Sequence, residues 1–318
     1  MTAKPDIHVL PRQVTAWAMK ALRPAEWLLL TLVLTLGTGC LALILAMGRI
    51  VEWSGFITGI LASFGIIVVG ACARIRSGAQ RVGTAAIGVG LFMGFTALVT
   101  LFIYALFPLP RPMIDLDLMA VDAALGYDWA GFVNALAGWP LLGHALGLLY
   151  VSSLGQIIFV IILLSFLARE TQLQRFLLVG MLTMIVAITV WWLWPSVGPS
   201  AWSQPEAEAA AQIGLIYTPH YGEVLLGLVR EGPPVIRAQD IMGMVAFPSY
   251  HIVMAWMVAW YTRGTMFFLP LLAASLLMVP ATLSHGAHHM VDLIAGSFVF
   301  LTCAWLAARL LPEPATRP

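Results

Sequence analysis

Trp27-Leu-Leu-Leu-Thr-Leu-Val-Leu-Thr-Leu-Gly-Thr-Gly-Cys-Leu-Ala-Leu-Ile-Leu-Ala-Met47 runs for 21 residues without one charged side chain. About 20 apolar residues of helix cross the hydrocarbon core of a bilayer, and a helix in lipid satisfies its own backbone hydrogen bonds. The stretch therefore reads as a membrane span. Seven more apolar blocks follow, near Phe56–Ala73, Thr84–Phe107, Leu141–Ala168, Phe176–Trp194, Met244–Tyr261, Met266–Leu283 and Met290–Leu310. The pattern predicts an all-α, polytopic membrane helical bundle of about eight transmembrane helices, with short interfacial lid helices on the outer face.

Composition agrees. Of 318 residues, 61% are apolar and 10% charged, against about 45–50% and about 25% in soluble domains. A net charge of +1 gives no footprint for a nucleic-acid partner. Cys40, Cys72 and Cys303 lie inside apolar blocks at spacings that suit neither a disulfide framework nor a metal. Three regions are expected: a basic amphipathic arm over 1–25 on the membrane surface, accessory and first core helices over 26–107, and a catalytic core over 108–318 with outer loops 108–140 and 195–243.

Lys and Arg in short loops mark the cytoplasmic side. One set of connections carries the arm, then Arg74, Arg76, Arg81, Arg169, Arg175, Arg263, Arg309 and Arg317; the other set is acidic. Both termini are thus expected in the cytoplasm. The outer loops hold helix signals. Ser203-Gln-Pro-Glu206 reads as a capping box opening a helix through Ala211, and Glu223–Arg230 as a surface helix stopped by Gly232. Asp117 and Asp128 read as caps with Gly126 as a stop between them, and Asp115 and Asp122 as caps or lid contacts.

The chemistry-bearing residues gather at span ends on the outer side. His251 lies in Phe247-Pro-Ser-Tyr-His251, and His285, His288 and His289 in Ser284-His-Gly-Ala-His-His-Met-Val-Asp292. The hairpin between them crosses and returns, so both clusters meet on one side. On a helix, His288 and Asp292 stack one turn apart. A carboxylate there takes the proton of one imidazole nitrogen and frees the other to attack. Pro248 suits a first helical turn, which sets Ser249 and His251 beside exposed N–H groups that favour phosphate.

Phe247-Pro-Ser-Tyr-His251 followed by His288-His-Met-Val-Asp292 resembles the type-2 phosphatidic acid phosphatase superfamily, with its Pro-Ser-x-His and later His-x-x-x-Asp motifs. It is similar in particular to the branch containing inositol phosphorylceramide synthase and its bacterial relatives, which Asp122-Ala-Ala-Leu-Gly-Tyr-Asp-Trp129 and Trp194-Pro-Ser-Val-Gly-Pro199 also resemble. The resemblance covers roughly Pro108 to Leu311. It implies His288 as nucleophile forming a phosphohistidine, Asp292 orienting it, His251 protonating the departing alcohol, and Ser249 holding phosphate, with no metal or other cofactor. His285, His289 and Tyr250 are supporting candidates. The family's Lys and Arg-Pro pair ahead of Pro-Ser-x-His has no clean copy here, and Ala281 and Thr282 stand where its Ser-Arg would be. Arg230, Arg237 and, after them, Arg111 are the outer cations available to bind phosphate instead.

The expected activity is that of a lipid phosphatase or phosphotransferase in a bacterial inner membrane. It would act on a lipid phosphate or phospholipid at the outer leaflet, with water or a lipid alcohol as acceptor. Two other readings stand beside it: an intramembrane zinc enzyme using His285, His288, His289 and Asp292, and a non-enzymatic lipid transporter.

Overall fold

The computed structural model describes residues 21–76 and 78–313, so the expected arm lies outside the described residues as far as residue 20. The chain is a polytopic helical bundle. Among the described residues thirteen α-helices follow in order: α1 (Pro24–Ala46), α2 (Trp53–Ile75), α3 (Gln80–Ala105), α4 (Asp115–Ala124), α5 (Trp129–Leu136), α6 (Pro140–Val151), α7 (Ser153–Phe166), α8 (Glu170–Leu193), α9 (Ala207–Gln212), α10 (Pro219–Glu231), α11 (Tyr250–Tyr261), α12 (Phe268–His285) and α13 (Met290–Leu310). Among the described residues the only β pairing is an isolated bridge between Val51 and Ile236.

Among the described residues six helices are long and apolar enough to cross a membrane, α1, α2, α3, α8, α12 and α13, or up to seven if the bent pair of α5 and α6 forms one span. Two of the eight expected blocks are built otherwise than as single long helices. The block Leu141–Ala168 is two helices, α6 and α7, parted at Ser152, and α6 is bent 120° from α5. The block Met244–Tyr261 is helical only from Tyr250. Twelve residues rise about 18 Å, too little for the roughly 30 Å hydrocarbon core. Its first part, Met244–Ala246, instead lines an internal cavity as irregular chain, where such backbone is tolerated at membrane depth. The second block is longer than expected, 23 residues.

Inside a bilayer the hydrophobic effect does not drive helices together; close packing and interhelical bonds do. Helix α8 is the hub, touching α1, α3, α7, α11 and α13, with Phe176 and Trp191 fully buried on it. α2 meets α3 backbone to backbone, since a methyl at Gly83 would stand 2.6 Å from Arg74 N and Gly70 O.

The two ends of the bundle differ in charge chemistry. At one end Arg74 pairs with Glu26 at 2.5 Å, both nearly buried, Arg23 pairs with Glu170, and Arg169 donates to the Arg263 and Gly264 carbonyls. The other end carries the histidines under a lid of α4, α5, α9 and α10. Asp128 caps α5 through Gly131 N at 2.6 Å, and Gly126 stops α4 at φ +77°, as read from sequence. Asp117 is no cap; it lies within α4. The capping box at Ser203 does not form either. α9 begins at Ala207 with Glu206 as N-cap, because Glu206 N is taken by the Asn134 side chain at 2.9 Å. α10 starts a turn early, at Pro219, and ends at Gly232 with φ +74°.

Candidate active site

The start of α13 organises the site. Asp292, in its first turn, is fully buried and accepts two hydrogen bonds on Oδ2: from His289 N at 2.9 Å and from His288 Nδ1 at 2.9 Å. The carboxylate thereby caps the helix and fixes the His288 ring in one orientation, the stacking expected from their four-residue spacing. With Nδ1 engaged, Nε2 of His288 is the nitrogen free for chemistry.

His251 comes from the first turn of α11. That helix start is docked onto α13: Ser249 N donates to the Asp292 carbonyl at 3.0 Å, and a side chain at Gly296 would collide with Ser249 O. Ser249 is thus the N-cap and Pro248 lies outside the helix, not in its first turn. The docking brings the rings of His251 and His288 to 6.3 Å between centroids at 66°. Tyr150, at the end of α6, stacks on the ring of His251 at 4.0 Å and 21°. The hydroxyl of Ser249 is buried without a partner and caps none of the α11 amides, so that helix start keeps donors for an anion.

Both imidazoles border a cavity of about 320 Å³ that runs down the bundle between α3, α7, α8 and α11. Beyond its mouth, formed with Tyr217, Gly286 and Ala246, the walls are Phe92, Phe95, Val99, Phe176, Met181 and similar apolar groups. The cavity has one polar end and an apolar shaft.

The remaining expected residues fall elsewhere. Tyr250 borders the shaft but gives its hydroxyl to Gly180 O at 3.0 Å. His285 turns away, its Nε2 on Gly143 O at 2.9 Å. His289 points to Asp122. Arg230 is exposed at the end of α10. Arg237 pairs with Glu52 at 3.1 Å and Asp240 at 3.6 Å. Neither arginine borders the cavity. The zinc reading needs four side chains on one point; these four diverge, and no three His, Cys, Asp or Glu groups are arranged for a metal among the described residues.

Sequence reasoning missed a second buried network. Asp122 on α4 accepts from His289 Nδ1 at 2.7 Å and from Met290 N at 3.0 Å. Asp115, one face-repeat earlier, lies 3.7 Å from His289 Nε2 and accepts from Ser196 Oγ, Val197 N and Gly198 N at 2.8–3.0 Å. Burial works against charge on His289, but Asp115 and Asp122 outweigh it and raise its pKa to about 9. Gly198, at φ +87°, presses on the Ala287 carbonyl where no side chain would fit. Tyr127 OH and Trp129 Nε1 donate to Leu283 O at 3.2 Å and Ser284 O at 3.1 Å. Lid and turn together grip the segment that carries His288. The seven-residue spacing of Asp115 and Asp122 on an apolar face was the available signal.

No curated protein and no solved structure matches the chain. The family model described as the PAP2 superfamily matches residues 116–306, more than half of the chain. That span holds α11, the start of α13 and Asp122 alike, and the chain belongs to the PAP2 superfamily.

Proposed function

We propose that the protein is a membrane lipid phosphatase or phosphotransferase that passes a phosphoryl group through His288. The observation that carries the reading is the pairing of His251 and His288 across the single polar end of an apolar cavity. Attack on phosphorus needs a nitrogen about 3–3.5 Å away, and loss of the alcohol needs a proton donor about 2.6–3.2 Å from the ester oxygen; two imidazoles bordering one cavity, with centroids 6.3 Å apart, support one ring taking each task.

In the first step Nε2 of His288 attacks phosphorus, the P–O bond to the lipid alcohol breaks, and His251 gives that oxygen its proton. Asp292 stabilises the positive charge gained by the His288 ring. In the second step water or an acceptor hydroxyl attacks the phosphohistidine, its proton passes to His251, and the P–N bond breaks. Ser249 and the open amides of α11 take the developing phosphate charge. Arg230 and Arg237 have no part in this scheme. The apolar shaft favours a lipid substrate, and the basic opposite end favours placing the histidine end on the outer face with both termini in the cytoplasm. The catalytic unit is assigned to 108–318, and 26–107 is assigned to accessory and core support.

The test is a panel of lipid phosphomonoesters and phosphodiesters, each with and without ceramide or diacylglycerol as acceptor. Purified protein is expected to release phosphate or transfer a head group from at least one. A full panel without turnover would overturn the reading; dependence of product on the lipid alcohol would identify a transferase.

A further inference from the structure

The end of the bundle remote from the histidines has a groove of its own. It occupies about 560 Å³ between the start of α8, the end of α11 and the end of α13. Its floor is small: Ala304 and Ala308, one turn apart on α13, leave a furrow flanked by Leu301 and Trp305, with Trp260 on the facing wall. Leu301 and Trp305 are 52% and 59% exposed, on the flank that faces hydrocarbon in a bilayer. The groove therefore opens toward lipid.

Its head is cationic. Arg175 and Arg263 border it. The Arg263 guanidinium lies 3.5 Å over the Trp260 ring and, among the described residues, donates only through Nε, to Trp260 O at 3.0 Å. Arg175 holds Leu311 O at 2.7 Å through Nε, and its 3.2 Å pair with Glu313 is made to a side chain 65% exposed, hence weak. Arg309 stacks on Trp305 next to the groove. Among the described residues the two arginines face one solvated acid, Glu313, and no other protein acceptor takes their Nη groups. Paired Trp rings at this level suit the membrane interface, and basic pockets between helices there suit lipid phosphates.

We propose that this groove binds one anionic diacyl phospholipid from the leaflet on the basic side. Its phosphate sits on Arg175 and Arg263, and an acyl chain lies in the Ala304–Ala308 furrow. The site is separate from the histidine cavity and independent of the chemistry there.

The full-length protein in neutral detergent is titrated with phosphatidylglycerol, with phosphatidylcholine, and with glycerophosphoglycerol, which has the head group without tails. Retained lipid is counted by native mass spectrometry and the unfolding temperature is followed. Phosphatidylglycerol is expected to be retained and to raise the unfolding temperature, while the other two are not. Arg263→Gln is expected to weaken binding about fivefold, and Arg175→Gln with Arg263→Gln about 25-fold. Ala304→Leu, which fills the furrow without touching charge, is expected to weaken it as well. Equal binding of phosphatidylcholine, equal stabilisation by glycerophosphoglycerol, or undiminished phosphatidylglycerol binding in folded Arg263→Gln would each overturn the proposal. The last result would move the lipid to the histidine cavity or the general surface. No readout uses phosphoester turnover, so failure here leaves the reading of the histidine site intact.

Discussion

Asp122 and His289, 167 positions apart in sequence, are joined by a 2.7 Å hydrogen bond beneath the lid. The other oxygen of Asp122 holds Met290 N at 3.0 Å, while His289 N is held by the same Asp292 oxygen that receives His288 Nδ1. One lid carboxylate thus fixes the backbone from which His288 is aimed.

A pH signature follows for Asp122→Asn. The folded pKa of His289 is raised from 6.5 to about 9. Its charge therefore stabilises the fold fully below about pH 6.5, and that contribution is lost as pH rises through about 9. Wild-type protein in detergent is expected to lose thermal stability between these values. Asp122→Asn keeps an acceptor for Met290 N but removes the charge partner. It should be less stable by about 2 kcal/mol at pH 6.5 and show a shallower slope above it. Parallel slopes for the two proteins would show that His289 is not held charged by Asp122.

His288→Ala is expected to abolish turnover of any lipid phosphoester found by the substrate panel. Asp292→Asn, which disturbs the tautomer and charge of the His288 ring, should lower kcat by about 10²–10⁴. Rapid quench with labelled substrate tests the intermediate. Label is expected on wild-type protein in an acid-labile, base-stable form, and covalent label persisting on His288→Ala would remove that residue as nucleophile.

His251 has a separable role, because a proton donor matters only when the leaving oxygen is basic. His251→Gln should lose about 10²–10⁴ in kcat on an alkyl phosphoester and far less on an aryl phosphoester, whose phenolate leaves unaided. The ratio of the two rates in wild type and variant is the measurement. An equal loss on both substrates would make His251 a phosphate ligand and not an acid.

How far the site was legible depends on how local each interaction is. The His288–Asp292 pair and the ends of α13 follow from a four-residue spacing and an uninterrupted apolar run. That His251 and His288 lie at one end of the bundle follows from the hairpin of α11 and α12 between them, whose two helices pack against each other. The shortening of α11 does not follow, because it turns on Ser249 N bonding a carbonyl 43 positions later. Arg237 looked free for phosphate because its partner Glu52 is 185 positions away. Asp115 and Asp122 share a helix face whether that face meets water or protein, so their spacing alone could not distinguish lid caps from buried partners of His289.

The apolar shaft makes a claim about chain length. Along α3 it extends from Tyr104 to Phe92, a rise of about 18 Å over twelve residues, which suits a hydrocarbon chain lying along the bundle axis. Gly180 on α8 is in its wall, where a Cβ would already stand 3.2 Å from Met257 Cε and 3.8 Å from Tyr250 OH. Gly180→Leu should narrow the shaft at a cost of about 1–3 kcal/mol to any chain that must pass it. That is a fall of roughly 5- to 150-fold in kcat/KM for a long-chain lipid phosphoester. A short-chain phosphoester, which reaches the histidines without filling the shaft, should change by less than about twofold. The comparison cancels general damage to the fold, because damage would slow both substrates alike. Equal losses would place the lipid tail outside the shaft and leave the cavity without a part in selecting the substrate.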